Sequence, residues 1–421
     1  MMASIGFIVY FFVLLALLWS INKKISAGLG FAQLAVAFFF HILLGCAYGY
    51  IFHEYYRGDD TWMFHRESLA QYQRLVGQPL DFFRDLLPMA HYKKSHSAIQ
   101  YFQFYLEDLQ YYGITKSLAV FDLFSRGHYY INILFFNFLT LSGSLLLYKR
   151  LRTAFADRGT ILYIFIFFLP LPAFWLSGIR TEGLLFFWFT LLIYAFTSEK
   201  HISVGKFILT VFALLCCFAL RLWFTILLLP ALMGLVASLR WPSRSLRIFS
   251  GIYIISVALF FLGMVVSPAS NLSVPVINRQ KEFFSLQGNT RFPLDSLTNS
   301  PASFLKEFPK AAMNVGIRPL PWHAAGFLQL ATSLDNLFLV VTLLLLFQFP
   351  SKDWNKRIRN PIILLFIGFG LSQLLFIGYV VPFPGAIVRY KSIAELMLFL
   401  SIGLLGDFCQ ILKPFKKERE V

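Results

Sequence analysis

Eleven stretches of this chain are apolar over roughly the length needed to cross a bilayer, and they recur from one end to the other. They cover about residues 3–21, 29–52, 128–148, 160–177, 182–198, 205–220, 222–239, 248–266, 331–349, 361–380 and 390–411. About 20 helical residues cross a hydrocarbon core of ~30 Å. Backbone groups in lipid must find partners within their own segment, so such runs fold as helices. The strands of a membrane barrel alternate apolar and polar residues. These runs do not, which excludes a β-barrel. Charged residues make up only 14% of the chain, against about 25% in soluble domains. The expected fold is all-α: a polytopic transmembrane helix bundle of about eleven spans, forming one transmembrane domain over residues 1–421.

The first run, Ala3 to Ile21, has no basic leader and no clear small-residue cleavage site. It reads as a retained span rather than a signal peptide. The net charge of +16 would suggest nucleic acid in a soluble protein. Here the basic residues cluster in short loops: Lys23-Lys24, Lys149 to Arg152, Arg240 to Arg247, Lys352 to Arg359 and Lys413 to Arg419. With eleven spans these all fall on one side, which the positive-inside rule makes cytoplasmic. The long loops at about 53–127 and 267–330 then face out. The excess positive charge also suits an anionic lipid or a lipid-phosphate substrate. All four cysteines, Cys46, Cys216, Cys217 and Cys409, lie inside apolar runs, so no disulfide framework or CxxC metal pair is indicated.

The first outer loop is too aromatic to be a linker. Phe64, Leu69, Tyr72 and Leu75 recur with helical spacing in Trp62 to Val76, and Ser97 to Tyr112 is dense in Tyr, Phe and Leu. Aromatic rings settle at the membrane–water boundary, so two interfacial helices are expected. The loop opens with HEYYRGDDTWMFHRES, His53 to Ser68. Asp59 and Asp60 there are candidate general bases for a substrate whose tail lies in lipid. Gly-Asp-Asp is equally good turn chemistry. Glu54, His65 and Arg66 are near enough in sequence to assist. No clear hard-oxygen cage surrounds the acids, although Asp59 and Asp60 together could hold a divalent ion.

Further charges mark outer ends of spans. Arg180 and Glu182 sit in the tight turn Ser177-Gly178-Ile179-Arg180-Thr181-Glu182, and Arg221 is isolated between two apolar runs. Arg389 and Lys391 follow Pro382-Phe383-Pro384-Gly385 on the side where basic residues are disfavoured, and Arg318 and His323 end the second long loop. Charge at membrane depth pairs or serves a site, and Arg can clamp a phosphate bidentately. The plain alternatives are helix caps, snorkelling to the interface and headgroup contact. No GxxxxGK[ST], nucleotide-binding GxGxxG or HExxH is present, which argues against ATP-driven transport and a zincin protease.

Four pieces together resemble the GT-C superfamily of integral-membrane glycosyltransferases, particularly its uncharacterised bacterial members. They are Gly58-Asp59-Asp60, Ser177 to Glu182, Arg318-Pro319 and Gly385-Ala386-Ile387-Val388-Arg389-Tyr390. The resemblance implies a polyprenyl-phosphate-linked sugar as donor, with transfer on the outer face of the inner membrane to a glycan, lipid or protein acceptor. It implies Asp59 or Asp60 as base and Glu182 as a second acid. It implies donor-phosphate contacts from Arg180, Arg221 and Arg389, with Arg318, His323, Tyr390 and Lys391 as further candidates. The chain departs from the best-known members in having no soluble C-terminal domain and an extra span before the acidic loop. A polysaccharide polymerase or ligase acting on lipid-linked glycans, a lipid or glycan transporter, and a membrane-complex subunit are the alternatives.

Overall fold

The computed structural model describes residues 2–57, 60–88, 97–197, 203–267, 271–288, 290–324 and 326–408, and every regular element among them is helical. The chain divides into two compact units, Met1–Ile226 and Leu227–Val421. The first contains α1 (Met2–Lys24), α2 (Phe31–Tyr50), a π-helical turn (Ile51–Tyr55), α3 (Asp60–Gly77), α4 (Pro79–Arg84) and α5 (Ala98–Ser125). It continues with α6 (Tyr129–Ala154), α7 (Gly159–Phe168), α8 (Pro170–Ser177), α9 (Thr181–Thr197) and α10 (Val204–Leu220). The unit boundary falls inside α11 (Leu222–Arg240). The second unit holds α12 (Ser245–Val266), α13 (Ser273–Ser285), α14 (Pro301–Gly316), α15 (Phe327–Gln348), α16 (Trp354–Arg357), α17 (Pro361–Val380) and α18 (Pro384–Leu405).

Over its described residues each of the eleven apolar runs is mainly helical. Among the described residues seven segments are long and apolar enough to cross a membrane: Ser4–Lys24, Phe31–Tyr55, Tyr129–Ala154, Leu222–Arg240, Pro242–Val266, Phe327–Gln348 and Pro361–Val380. The pair Ala156–Phe168 and Pro170–Ser177, bent by 48°, makes an eighth if it is one broken span. Helices α9 and α10 have 17 residues each, about 25 Å of rise. Helix α18 carries Arg389, Lys391 and Glu395 within its 22 residues.

Helix α6 is the centre of the first unit, packing on α1, α2 and α9. Buried residues lie all round it, including Ile133, Leu134, Phe136, Leu141 and Leu145, as expected of a helix apolar on every face. Small residues let its neighbours close in. A Cβ on Gly45 of α2 would stand 2.8 Å from the Ser177 carbonyl oxygen. In the second unit α17 and α18 pack together and are buried along most of their length.

The first long loop contains the two expected helical stretches, and α5 runs on to Ser125. The face that α3 buries is polar. Thr61, His65, Ser68 and Gln71 are its buried residues, while Phe64, Leu69, Tyr72 and Leu75 are only half-buried. The reason is a line of polar partners on α5 and α6, which satisfies these groups as burial requires.

Candidate functional site

The turn between α8 and α9 is placed by α2 and α6. Proline at position 170 lacks the N–H that would continue α7, and α8 starts afresh there. His41 of α2 reaches the end of α7 and the end of α8: Nε2 lies 3.0 Å from the Phe167 carbonyl oxygen and Nδ1 lies 2.9 Å from Ser177 Oγ. A carbonyl only accepts, so Nε2 carries the proton, and in the neutral ring Nδ1 accepts from the Ser177 hydroxyl. Asn137 Nδ2 of α6 donates to the Ser177 carbonyl oxygen at 2.9 Å. Gly178 then lies flat on the Tyr48 ring, where a Cβ would come within 2.6 Å.

Both charged residues of this turn meet opposite charges from distant elements. Arg180 Nη1 donates to Asp60 Oδ2 at 2.9 Å, its Nε donates to the Tyr48 hydroxyl, and its guanidinium lies 5.8 Å and 6.0 Å from the ring centroids of Tyr48 and Phe52. Burial is unequal: the Arg180 side chain is 4% exposed and that of Asp60 48%. Two residues on, Glu182 Oε1 accepts from Arg221 Nη2 at 3.0 Å. Arg221 sits at the break between α10 and α11. The structure thus gathers Asp60, Arg180, Glu182 and Arg221 from three separate parts of the first unit. Asp59 lies outside the described residues.

Asp60 owes its position to the polar seam beneath α3. Thr61 Oγ1 bonds the Tyr129 hydroxyl at 2.8 Å. Trp62 stacks on Tyr129 at 3.9 Å and donates Nε1 to the Gly49 carbonyl oxygen. Ser68 and Asn132 donate to the buried Asp122 carboxylate at 2.8 Å and 2.7 Å. Further along, Lys116 donates to Gln71 at 2.9 Å and to Asp85 at 3.1 Å, and Arg74 pairs with Asp85 at 2.7 Å. Burial pulls the Lys116 ammonium below the usual lysine range, against the Asp85 carboxylate. His65 belongs to this seam: burial lowers its imidazole below the ordinary histidine value, and Asp122 opposes that shift. Glu54 instead pairs with His53 at 2.7 Å, both exposed, and Arg66 is exposed.

The remaining candidates lie in the second unit. Arg389 Nη2 donates to the Tyr390 hydroxyl at 2.6 Å and its guanidinium lies 4.5 Å from that ring's centroid. Tyr390 meets Phe283 edge-on at 6.1 Å. Arg318 Nη1 donates to Asn314 Oδ1 at 2.9 Å. His323 closes an exposed 3₁₀ turn, Pro321–His323. Lys391, expected among the phosphate contacts, is 1% exposed and donates to Glu395 and Asn336. Asn336 in turn donates Nδ2 to the Arg318 carbonyl oxygen at 2.8 Å, so the Arg318 and Lys391 motifs meet through one asparagine.

Sequence reasoning missed three kinds of residue. Tyr48 and His41 look like ordinary members of an apolar run. Asn137 is one polar residue in a span. Asp335 and Glu395 lie within runs read only for their apolar content, although Glu395 four residues after Lys391 is a helical ion-pair spacing. Among the described residues no group of three or more His, Cys, Asp or Glu is placed to hold a metal ion. No protein-family model, curated protein or solved structure matches this chain.

Proposed function

We propose that this protein is a membrane glycosyltransferase of GT-C-like, eleven-span architecture. In this reading it moves a sugar from a polyprenyl-phosphate donor to an acceptor on the outer face of a bacterial inner membrane. The observation that supports it is the pairing of Asp60 with Arg180 beside that of Glu182 with Arg221. Asp60 carries the more exposed carboxylate and acts as the base that takes the acceptor's hydroxyl proton. Arg180, buried behind it, is a positioning residue: two donors of one planar fork fix Asp60 relative to Tyr48. Arg221, a quarter exposed at 26%, is the cation here that reaches outward to a departing phosphate. Charge held ready in a water-poor site stabilises such a leaving group well. In the second unit Arg389 and Arg318 are the corresponding basic candidates.

The test incubates purified protein with radiolabelled polyprenyl-phosphate sugars and measures release of the lipid phosphate. Release that falls ~10²-fold in Asp60→Asn or Asp59→Asn supports a general base. No release with any donor, or full release by both variants, refutes the assignment. One observation favours a second reading, a lipid or glycan transporter: Asp335, Lys391 and Glu395 are all buried in helices α15 and α18. Intramembrane charge often marks a transport path. Lipid movement across vesicles without sugar release would select that reading.

A further inference from the structure

Asp335 and Asn336 of α15 face Lys391 and Glu395 of α18, and the four are 8%, 1%, 1% and 1% exposed. Lys391 Nζ donates to Glu395 Oε1 at 2.7 Å and to Asn336 Oδ1 at 2.5 Å. Asp335, adjacent to Asn336, brings a second buried carboxyl to this cluster, where it interacts with Glu395. Yet Asp335 Oδ2 and Glu395 Oε2 are both buried with no donor among the described residues. Ionised carboxylates only accept hydrogen bonds, so two of them in contact leave a gap that one proton fills.

Among the described residues the surrounding charges do not supply a second cation: Arg389, on α18 itself, goes to the Tyr390 hydroxyl and ring. Helix α17, packed on α18, has no Asp, Glu, Lys, Arg or His. On α14, Lys310 is taken by Asp295 and Glu307, and Lys306 is exposed. Arg357 of α16 donates to the Leu404 carbonyl oxygen at the far end of α18. His323, in the turn before α15, is exposed, and Arg318 offers its carbonyl while its guanidinium goes to Asn314. The cluster therefore holds two carboxyl groups and one ammonium. Ionising both acids would bury a negative charge with no counterpart, which proteins avoid by keeping a proton.

We propose that Asp335 and Glu395 form a proton-binding pair, with one proton shared by the two carboxyl groups and the remaining charge matched by Lys391. Releasing the proton leaves the cluster one negative charge in excess. Asn336 also donates to the Arg318 carbonyl oxygen, which ties the cluster to the backbone ahead of the Pro321–His323 turn. This site stands independently of the glycosyl-transfer reading.

Infrared spectroscopy of the purified full chain tests it, because a protonated carboxyl has its own carbonyl band. The wild type should show that band at neutral pH and lose it as the pH is raised. Asp335→Asn and Glu395→Gln should each lose it at neutral pH, since the acid that remains then pairs with Lys391 as a carboxylate. The exposed-pair variant Glu282→Gln should retain it. A wild type with no such band at neutral pH overturns the proposal, and that measurement does not depend on any variant folding. So does a band that survives in both cluster variants, or one removed at constant pH by added sodium ions.

Discussion

Replacing Asp60 by Asn removes one charge of the Asp60–Arg180 pair at nearly constant volume, and its effect can be bounded. Removing one partner of a fully buried pair costs about 3–5 kcal/mol, because the other is left as an uncompensated charge. Here the stranded partner is Arg180, whose side chain is 4% exposed, while the charge removed is 48% exposed. Arg180 keeps its bond to the Tyr48 hydroxyl and its place over two rings. The expected loss is therefore that of one hydrogen bond to a charged group, about 2 kcal/mol. A double-mutant cycle of Asp60→Asn and Arg180→Gln, followed by unfolding in detergent, isolates the pair. The coupling should exceed ~0.5 kcal/mol, the margin within which independent sites simply add. Additive effects would refute the ion pair as a structural tie. Turnover in the same variants separates the roles: a measurable coupling with unchanged sugar transfer leaves Asp60 as a clasp and not a base.

Three other outcomes are expected. In a cysteine-free background, a cysteine at Leu294 should react with a membrane-impermeant thiol reagent in intact cells and one at Asp353 should not; labelling at Asp353 reverses the orientation. Gly178→Ala puts a Cβ within 2.6 Å of the Tyr48 ring, and such overpacking should destabilise by about 1–3 kcal/mol, with a wild-type unfolding curve as the contrary result. The Lys310 hydrogen bond holds the Asp295 carboxyl below the usual carboxylate range. A depressed acid stabilises above its unfolded value of about 4 and loses that contribution as the pH falls below it. Hydrogen-exchange protection factors, corrected for the intrinsic pH dependence of amide exchange, should therefore fall over residues 290–300 at acid pH, but not in Asp295→Asn.

The long helices were legible because their signal is local. Length and apolar content mark an element whatever it packs against, and all eleven runs are mainly helical over their described residues. Part of the site was legible for a related reason: charges at the ends of apolar runs need partners, and Arg180, Glu182, Arg221 and Asp60 found them in one another. The choice of partner was not written locally. Arg180 pairs with Asp60, 120 positions away. Nor was the buried face of α3, because Ser68 and Gln71 are buried only by virtue of Asp122 and Lys116 on α5. Asp335 was hidden by its surroundings: a single acid in an apolar run leaves the average almost unchanged.

The bridge that His41 makes across α8 gives the Arg180 turn an unusual suspension. A carbonyl released at a helix break is expensive in hydrocarbon unless another group takes it, and His41 takes that of Phe167 while holding Ser177 with its other nitrogen. The height of the turn is thus set by an imidazole on α2 together with the Asn137 amide on α6, and not by an unbroken run of backbone from α7. A wider or narrower side chain at position 41 would raise or lower Arg180 and Glu182 together, leaving every charged residue in place. Such a chain can retune how deep its polar groups sit by substituting a residue that touches neither pair.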